Sequence, residues 1–184
     1  MSQTRNRNAR IIENEKDIRA GVRALTKACP HMRTAHDASG MPPLRRQLGG
    51  FEGLARIICG QQVSVASAAA IWARFIEIAK PVEARRILRM SDDEMRAAGL
   101  SRPKIKTLRA VAAAVKDGLD FDDLASRDDA EVRARLVSIS GIGPWTSDVY
   151  LMFCIGRADA FAPGDLALQE AARLLMGLDA RPSA

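Results

Sequence analysis

The chain has 184 residues, of which 47% are hydrophobic, 27% charged and only 4% aromatic. This length and apolar content suffice to bury a core in one compact domain or two joined lobes, so the fold should not need disulfides or a structural metal for its stability. Its 28 Lys and Arg residues against 22 Asp and Glu give a net charge of +6, which suits a polyanionic partner better than an acidic small molecule.

The ends of the chain and its cysteines indicate where it works. Residues 1–12 are polar and basic, and we predict a flexible tail there. No apolar run has the length of a signal sequence or a membrane span, so we expect a cytoplasmic protein without a membrane partner, associated with the nucleoid if bacterial. Cys29, Cys59 and Cys154 lie far apart and predict buried free thiols rather than a metal site or a disulfide framework.

Apolar residues recur at helical spacing along most of the chain, without useful period-2 alternation, which predicts an all-α fold. Pro30 should close the first helix, and residues 40–50 should form a loop with a short helical turn. Ser91 and Glu94 form a capping-box pattern, and Ser64 is a plausible N-cap. The predicted helices fall within residues 13–29, 51–62, 64–80, 91–100, 101–118, 127–140 and 163–177.

The segment SISGIGPWTSD, residues 138–148, predicts a tight turn between two helices. Gly141 and Gly143 allow positive φ, and Pro144 fits the first position of the following helix. Free N–H groups at such a helix start suit an anion, for instance a DNA phosphate. An ordinary helix-to-helix turn also uses Gly and Pro, and from the glycines alone it is the more common structure.

Four segments together resemble one known family. Residues 136–146 follow the pattern L-x-x-I-x-G-I-G-P-W-T, which resembles the hairpin of the helix-hairpin-helix DNA glycosylase superfamily. Residues 55–75, 99–110 and 156–175 are similar, in the same order, to segments of its 3-methyladenine DNA glycosylase II branch. The resemblance implies a two-lobed helical bundle formed by residues 13–184 as one domain, with the hairpin motif at about residues 133–154.

The resemblance also implies a short form of the family. Nothing before Pro42 is expected to encode the N-terminal β-rich domain of larger members, and the helix that usually closes the core after the Asp-bearing helix is expected to be missing. Because no cysteine cluster follows that helix, we expect no iron–sulfur cluster. No cofactor is expected beyond a structural Na⁺ or K⁺ on the hairpin carbonyls near Ile139 and Ile142.

The function that the resemblance implies is that of a monomeric, monofunctional DNA glycosylase of base excision repair. It would hydrolyse the N-glycosidic bond of alkylated purines in double-stranded DNA, with 3-methyladenine-like bases as substrates and 7-methylguanine as a further one. Two alternatives remain open: a non-catalytic helix-hairpin-helix module that holds DNA for a partner, and a glycosylase for another damaged purine such as hypoxanthine.

Asp165 matches the family's catalytic aspartate. Read from the residues alone, it is the N-cap of a helix with a buried stripe of Leu168, Ala172 and Leu175, and capping is the favoured explanation. The two roles are compatible, because a helix N-terminus favours the ionised carboxylate, and a carboxylate stabilises the oxocarbenium character that develops as the bond breaks.

The remaining site residues also follow from the resemblance. Trp145 stands where strand-cleaving relatives carry a Schiff-base lysine, so no lyase activity is expected, and it would line the base pocket with Tyr150 as a weaker candidate. Gln62 matches the position that inserts a wedge into the gap left by the flipped base. A solvated helix face explains Lys104 as well as a phosphate contact does. The residues expected to contact the DNA backbone are Gly141, Ile142, Gly143, Thr146 and Lys104.

Overall fold

Residues 10–183 are described by a computed structural model, and this part of the chain contains no β-strand. An isolated antiparallel bridge joins Ile11 and Arg157. The all-α prediction is therefore confirmed. The helices are α1 Glu15–Ala28, α2 Pro30–Ser39, α3 Gly50–Gly60, α4 Val65–Ala79, α5 Ala84–Arg89, α6 Asp92–Ala97, α7 Arg102–Lys116, α8 Phe121–Ala125, α9 Asp129–Val137, α10 Pro144–Val149, a π-helical segment Tyr150–Ile155, and α11 Leu166–Met176.

Local sequence signals define several helix ends. The Ser64 side chain accepts a hydrogen bond from the Ser67 N–H at the start of α4. At α6 the capping box is complete: Glu94 N–H donates to Ser91 Oγ at 3.2 Å, and Ser91 N–H donates to Glu94 Oε2 at 2.6 Å. These bonds satisfy backbone donors that the first helical turn leaves without an intrahelical partner.

The core surrounds α3, which packs against α4, α7, α8, α10 and the π-helical segment. Leu54, Ile58 and Cys59 on α3 are fully buried, as are Phe75 on α4 and Leu108 on α7. Burying apolar surface around one central helix is the main source of stability for such a bundle. These helices form one lobe.

The second lobe consists of α1, α2 and α11, none of which contains a buried residue. Pro30 does not end the helical structure as predicted but occupies the first position of α2, where its missing N–H costs nothing. The predicted buried stripe of α11 is also wrong: Leu168 is 37% exposed. The reason is that α2 is the main packing partner of α11, so much of the α11 surface stays open to solvent.

No helix within residues 10–183 combines the length and the apolar character that crossing a membrane requires.

Candidate active site and DNA interface

The hairpin joins α9 to α10 through a short turn. The Ile142 N–H donates to the Ile139 carbonyl at 3.0 Å, and both isoleucine side chains are buried. Gly141 has φ +89°, and an added Cβ would meet the Thr107 side chain. Both the backbone conformation and the lack of space therefore favour glycine at this position. The prediction of positive φ is wrong for Gly143, which is extended at φ −99° and caps α10.

The start of α10 is fixed from outside the hairpin. Thr146 is buried, and its Oγ1 accepts a 2.8 Å hydrogen bond from the Gln61 side chain at the end of α3. The Thr146 hydroxyl oxygen is therefore engaged in a packing contact between α3 and α10, and the expected contact of Thr146 with the DNA backbone stays a prediction. Ser147 makes the first intrahelical bond of α10, to the Gly143 carbonyl at 3.1 Å.

Lys104 is buried rather than solvated. Its Nζ donates to the Cys59 carbonyl at 2.7 Å, and burial lowers the pKa of its ammonium. Because carbonyls in the last turn of a helix lack intrahelical partners, a cation that donates to one of them stabilises the end of α3. The structure thus gives Lys104 a structural partner. Lys104 also lines the same cleft as Asp165, and its ammonium has three donors, so its role as a phosphate contact stays a prediction.

Trp145 and Asp165, twenty positions apart, meet directly. The indole Nε1 of Trp145 donates to Oδ2 of Asp165 at 2.8 Å. The other carboxylate oxygen accepts hydrogen bonds from the Ala167 and Leu168 N–H groups at 2.9 and 3.2 Å, which makes Asp165 the N-cap of α11. The carboxylate therefore has donors on both oxygens.

These donors hold Asp165 in its charged form. The hydrogen bond from Trp145 lowers the pKa of the Asp165 carboxyl below its ordinary value, partial burial opposes that effect, and the Leu168 and Ala167 amides add to the lowering. At neutral pH the group is an ionised carboxylate, able to stabilise positive charge or to accept a proton from water.

Asp165 faces an open cleft of about 750 Å³, which we call the Asp165 cleft. Trp145, Gln62 and Gly141 also line it, so the carboxylate, the hairpin and the end of α3 share one surface. Gln62 has φ +54°, and no other non-glycine residue of the described chain has a positive φ. A side chain held in this strained region at a cleft wall is a marker of function.

A second cleft of about 390 Å³ lies beside Trp145, and we call it the aromatic cleft. Trp72 and Phe153 line it with Trp145, and Val149 and Gln47 also belong to its wall. The spacing of Trp72 along α4 is typical of a core-facing residue, and its side chain is partly buried against the core. Its cleft role was missed, because periodicity does not distinguish a core face from a pocket wall.

Tyr150 does not line either cleft. It is 1% exposed, its hydroxyl accepts a hydrogen bond from the Gly50 N–H at 3.0 Å, and its ring packs near Phe121 at a centroid distance of 5.9 Å. Burial raises the pKa of its phenol. The prediction of Tyr150 as a pocket residue is therefore wrong: it belongs to the core.

Within residues 10–183, no group of three or more His, Cys, Asp or Glu side chains is placed to hold a metal ion.

An all-α bundle with a glycine hairpin and a capped aspartate beside it defines a recognisable class of protein. The sequence profile of the HhH-GPD superfamily of base excision DNA repair proteins matches residues 55–184. The chain belongs to this superfamily.

The relatives of the chain carry names from DNA repair. DNA-3-methyladenine glycosylase 1 of Schizosaccharomyces pombe is 33% identical over 141 residues, which cover 72% of this chain and 60% of that protein. The probable bifunctional transcriptional activator/DNA repair enzyme AlkA of Mycobacterium tuberculosis is 29% identical over 183 residues, covering 94% of this chain and 36% of that protein. The chain thus spans less than two thirds of the length of either relative.

Solved structures give the same family. The Schizosaccharomyces pombe 3-methyladenine DNA glycosylase in complex with abasic DNA superposes with a TM-score of 0.80 at 27% identity, covering 89% of this chain and 84% of that one. The DNA-3-methyladenine glycosidase of Bacillus halodurans superposes with a TM-score of 0.70 at 30% identity, covering 90% and 75%. These likenesses confirm the two-lobed helix-hairpin-helix fold.

Proposed function

We propose that this chain is a monofunctional DNA glycosylase that hydrolyses the N-glycosidic bond of alkylated purines in double-stranded DNA. The observation that carries the proposal is the Asp165 carboxylate, which is held ionised by Trp145 and two backbone amides at the wall of a cleft shared with the hairpin. The names of its relatives, several of which are 3-methyladenine DNA glycosylases, support the substrate class.

The hairpin is the proposed contact with the DNA backbone. Ser140 and Gly141 are exposed, whereas Ile139 and Ile142 point their side chains into the core. This arrangement leaves main chain, rather than side chains, at the surface of the turn, and backbone N–H groups there suit phosphate oxygens. The net charge of +6 supports a polyanionic partner.

A monovalent cation at the hairpin is part of the proposal. The Ile139 carbonyl accepts one hydrogen bond, from the Ile142 N–H. Since a carbonyl oxygen has two lone pairs, Ile139 still has an acceptor site for Na⁺ or K⁺, together with the Ile142 carbonyl. Such an ion would hold the turn rigid and add positive charge beside a phosphate.

The damaged base must leave the duplex before the bond can be broken, because its sugar linkage is inaccessible inside the stack. Gln62, at the edge of the Asp165 cleft, is the proposed wedge that fills the vacated space. The aromatic cleft would receive the base, and its tryptophan faces attract a cationic alkylated purine more than a neutral normal one.

Asp165 performs the chemistry in this proposal. As the base departs, positive charge develops on the sugar, and the nearby carboxylate stabilises it. The same carboxylate orients a water molecule and takes its proton, so that hydroxide adds to the sugar carbon. Trp145 has no amine to form a Schiff base, and the Lys104 amine is bonded to the Cys59 carbonyl, so strand cleavage is not expected.

One experiment tests the proposal. Purified chain is incubated with methylated duplex DNA, released bases are identified by chromatography, and the DNA is then heated in alkali to reveal abasic sites. Release of 3-methyladenine with strand breaks only after alkali is the expected result. DNA binding without any base release would favour a non-catalytic DNA-holding module, and breaks before alkali would contradict monofunctional chemistry. Release of hypoxanthine from a parallel deoxyinosine-containing duplex, with no release from methylated DNA, would change the substrate class.

A further inference from the structure

One buried polar atom in the structure has no partner to explain it. Oε1 of Gln47 is buried and accepts no hydrogen bond from any described residue. Two other buried side-chain atoms lack a hydrogen bond, Asp129 Oδ1 and Arg157 Nε, but they lie 3.1 Å apart as an ion pair. Among residues 10–183, Gln47 Oε1 is thus the buried side-chain acceptor left without any polar contact, and such groups in native proteins call for a functional explanation.

Gln47 lies where a bound base would meet it. It lines the aromatic cleft together with Trp72, Trp145 and Phe153. Its own N–H donates to the Phe153 carbonyl at 2.9 Å, so its backbone is tied to the cleft wall. The preceding residue adds a second tie, since the Arg46 guanidinium donates to the Cys154 carbonyl at 3.0 Å.

An apolar wall would serve packing better than this amide does. Leaving a buried acceptor unpaired costs stability, and an isosteric apolar side chain would remove that cost. Aromatic side chains provide stacking faces that bind every base alike. Arg56 also lines the cleft but is exposed, whereas Gln47 is partly buried with its Oε1 fully covered. The Gln47 amide supplies what stacking lacks, a means to distinguish one base edge from another.

We propose that the Gln47 amide reads the Hoogsteen edge of an adenine-type base in the aromatic cleft, and thereby selects 3-methyladenine over 7-methylguanine. This inference rests on the proposed function. Glutamine pairs with adenine through two hydrogen bonds, with its oxygen accepting from N6–H and its amide group donating to N7. Methylation at N3 leaves both of those positions intact.

The guanine edge does not satisfy the same amide. In 7-methylguanine the N7 position carries the methyl group and O6 is an acceptor, so Gln47 Oε1 would face no donor. The buried oxygen would then stay unpaired in the complex, as it is in the free protein. Discrimination of this type is strong, because a site built to hydrogen-bond one edge penalises a base that lacks it.

The test uses Gln47→Leu and Gln47→Met, two variants of similar size without hydrogen-bonding capacity. DNA methylated with a simple alkylating agent contains both bases, so the release of each is measured in one reaction. We expect the ratio of 3-methyladenine to 7-methylguanine release rates to fall about 10-fold or more in both variants. Circular dichroism and thermal unfolding confirm that each variant is folded.

Gln61→Leu is the matched control, because Gln61 is bonded to Thr146 and does not line the aromatic cleft. It should slow the release of both bases by the same factor. If the Gln47 variants also slow both bases equally, or leave the ratio unchanged, the reading of the base edge by Gln47 is wrong. If the wild-type chain releases neither base, the proposed function itself fails.

A binding measurement separates the two proposals further. The chain has two tryptophans, and both line the aromatic cleft, so their fluorescence should change when free 3-methyladenine is added. The Gln47→Leu variant should bind free 3-methyladenine about 10-fold more weakly, whether or not the chain cleaves DNA. Equal affinity of wild type and variant for the free base would overturn the inference.

Discussion

The indole N–H of Trp145 is bonded to the carboxylate of Asp165 at 2.8 Å, so the side chain expected to contact the base also sets the charge of the proposed catalytic group. Trp145 stands in the second helix of the hairpin, and Asp165 caps α11. The bond therefore links the turn proposed to bind DNA to the proposed catalytic carboxylate. Both ends of this link can be tested separately.

Replacing Asp165 by Asn separates catalysis from capping. Asn is as good an N-cap as Asp, but its single oxygen cannot accept from both the α11 amides and the Trp145 indole, so the free energy of unfolding should fall by about 1 kcal/mol. Base release should fall at least about 10²-fold, because the amide carries no charge to stabilise the sugar cation. Single-turnover release assays and urea unfolding measure the two quantities. Near-normal release by Asp165→Asn would remove Asp165 from the mechanism.

Replacing Trp145 by Phe should shift the pH dependence of the reaction. The Trp145 bond is the largest cause of the lowered Asp165 pKa, and its loss raises that pKa toward the ordinary value. Since the active form is ionised, kcat/KM is lost as pH falls through the pKa of Asp165 in the folded chain. The acid limb of the variant's profile should therefore lie at higher pH than that of the wild type.

Trp72→Phe is the control for this experiment. Trp72 lines the aromatic cleft as Trp145 does, while the hydrogen bond to Asp165 comes from Trp145. We expect a change in KM without a shift of the acid limb. An equal shift in both tryptophan variants would mean that the limb does not report Asp165.

The two hairpin glycines should respond differently to alanine. Gly141→Ala places a side chain at φ +89° against Thr107, and the left-handed conformation alone costs about 1–2 kcal/mol. Gly143→Ala meets nothing within 4 Å and has an extended backbone, so its cost should stay below about 1 kcal/mol. Chemical unfolding of the two variants checks the difference. Equal stability would contradict the described turn.

Replacing Lys104 and replacing Lys106, two positions apart on α7, should have different effects on stability. Lys104→Met leaves the Cys59 carbonyl without its donor, and such a loss costs about 1–3 kcal/mol. Lys106 is exposed, and Lys106→Met should change stability by less than about 0.5 kcal/mol. For Lys104→Met we also expect the salt dependence of DNA binding to match the wild type, as measured by fluorescence anisotropy. A reduced salt slope would identify Lys104 as a phosphate contact.

Replacing Gln62 by Gly should raise or preserve stability while it lowers activity. Glycine adopts φ +54° without strain, so unfolding should become more difficult by up to about 1 kcal/mol. The wedge side chain is lost, so 2-aminopurine fluorescence beside the lesion should report less base flipping, with slower release. Gln62→Asn keeps a polar side chain that tolerates this conformation and should retain more activity. Full flipping by Gln62→Gly would exclude a wedge role.

Much of the fold could be predicted because its signals are local. The capping box of Ser91 and Glu94, the Ser64 cap and the Asp165 cap involve side chains and backbone groups within three positions of one another. Such contacts are encoded in short stretches of sequence. The prediction of a buried stripe on α11 was wrong because burial is not a local property. Helical spacing identifies an apolar face but not the partner that covers it.

The sequence by itself determined most of the longer helices, several of their caps, the glycine hairpin and the aspartate that follows it, but not α2, α5 and α8. Only the tertiary structure decided which polar groups are free. Lys104, Thr146 and Tyr150 were candidates for DNA or base contacts, and each is engaged by a group at least 45 positions away. Gln47 and Trp145 likewise line one cleft although they are far apart in the sequence. Contacts between distant segments depend on how the helices pack, so a local sequence pattern does not predict them.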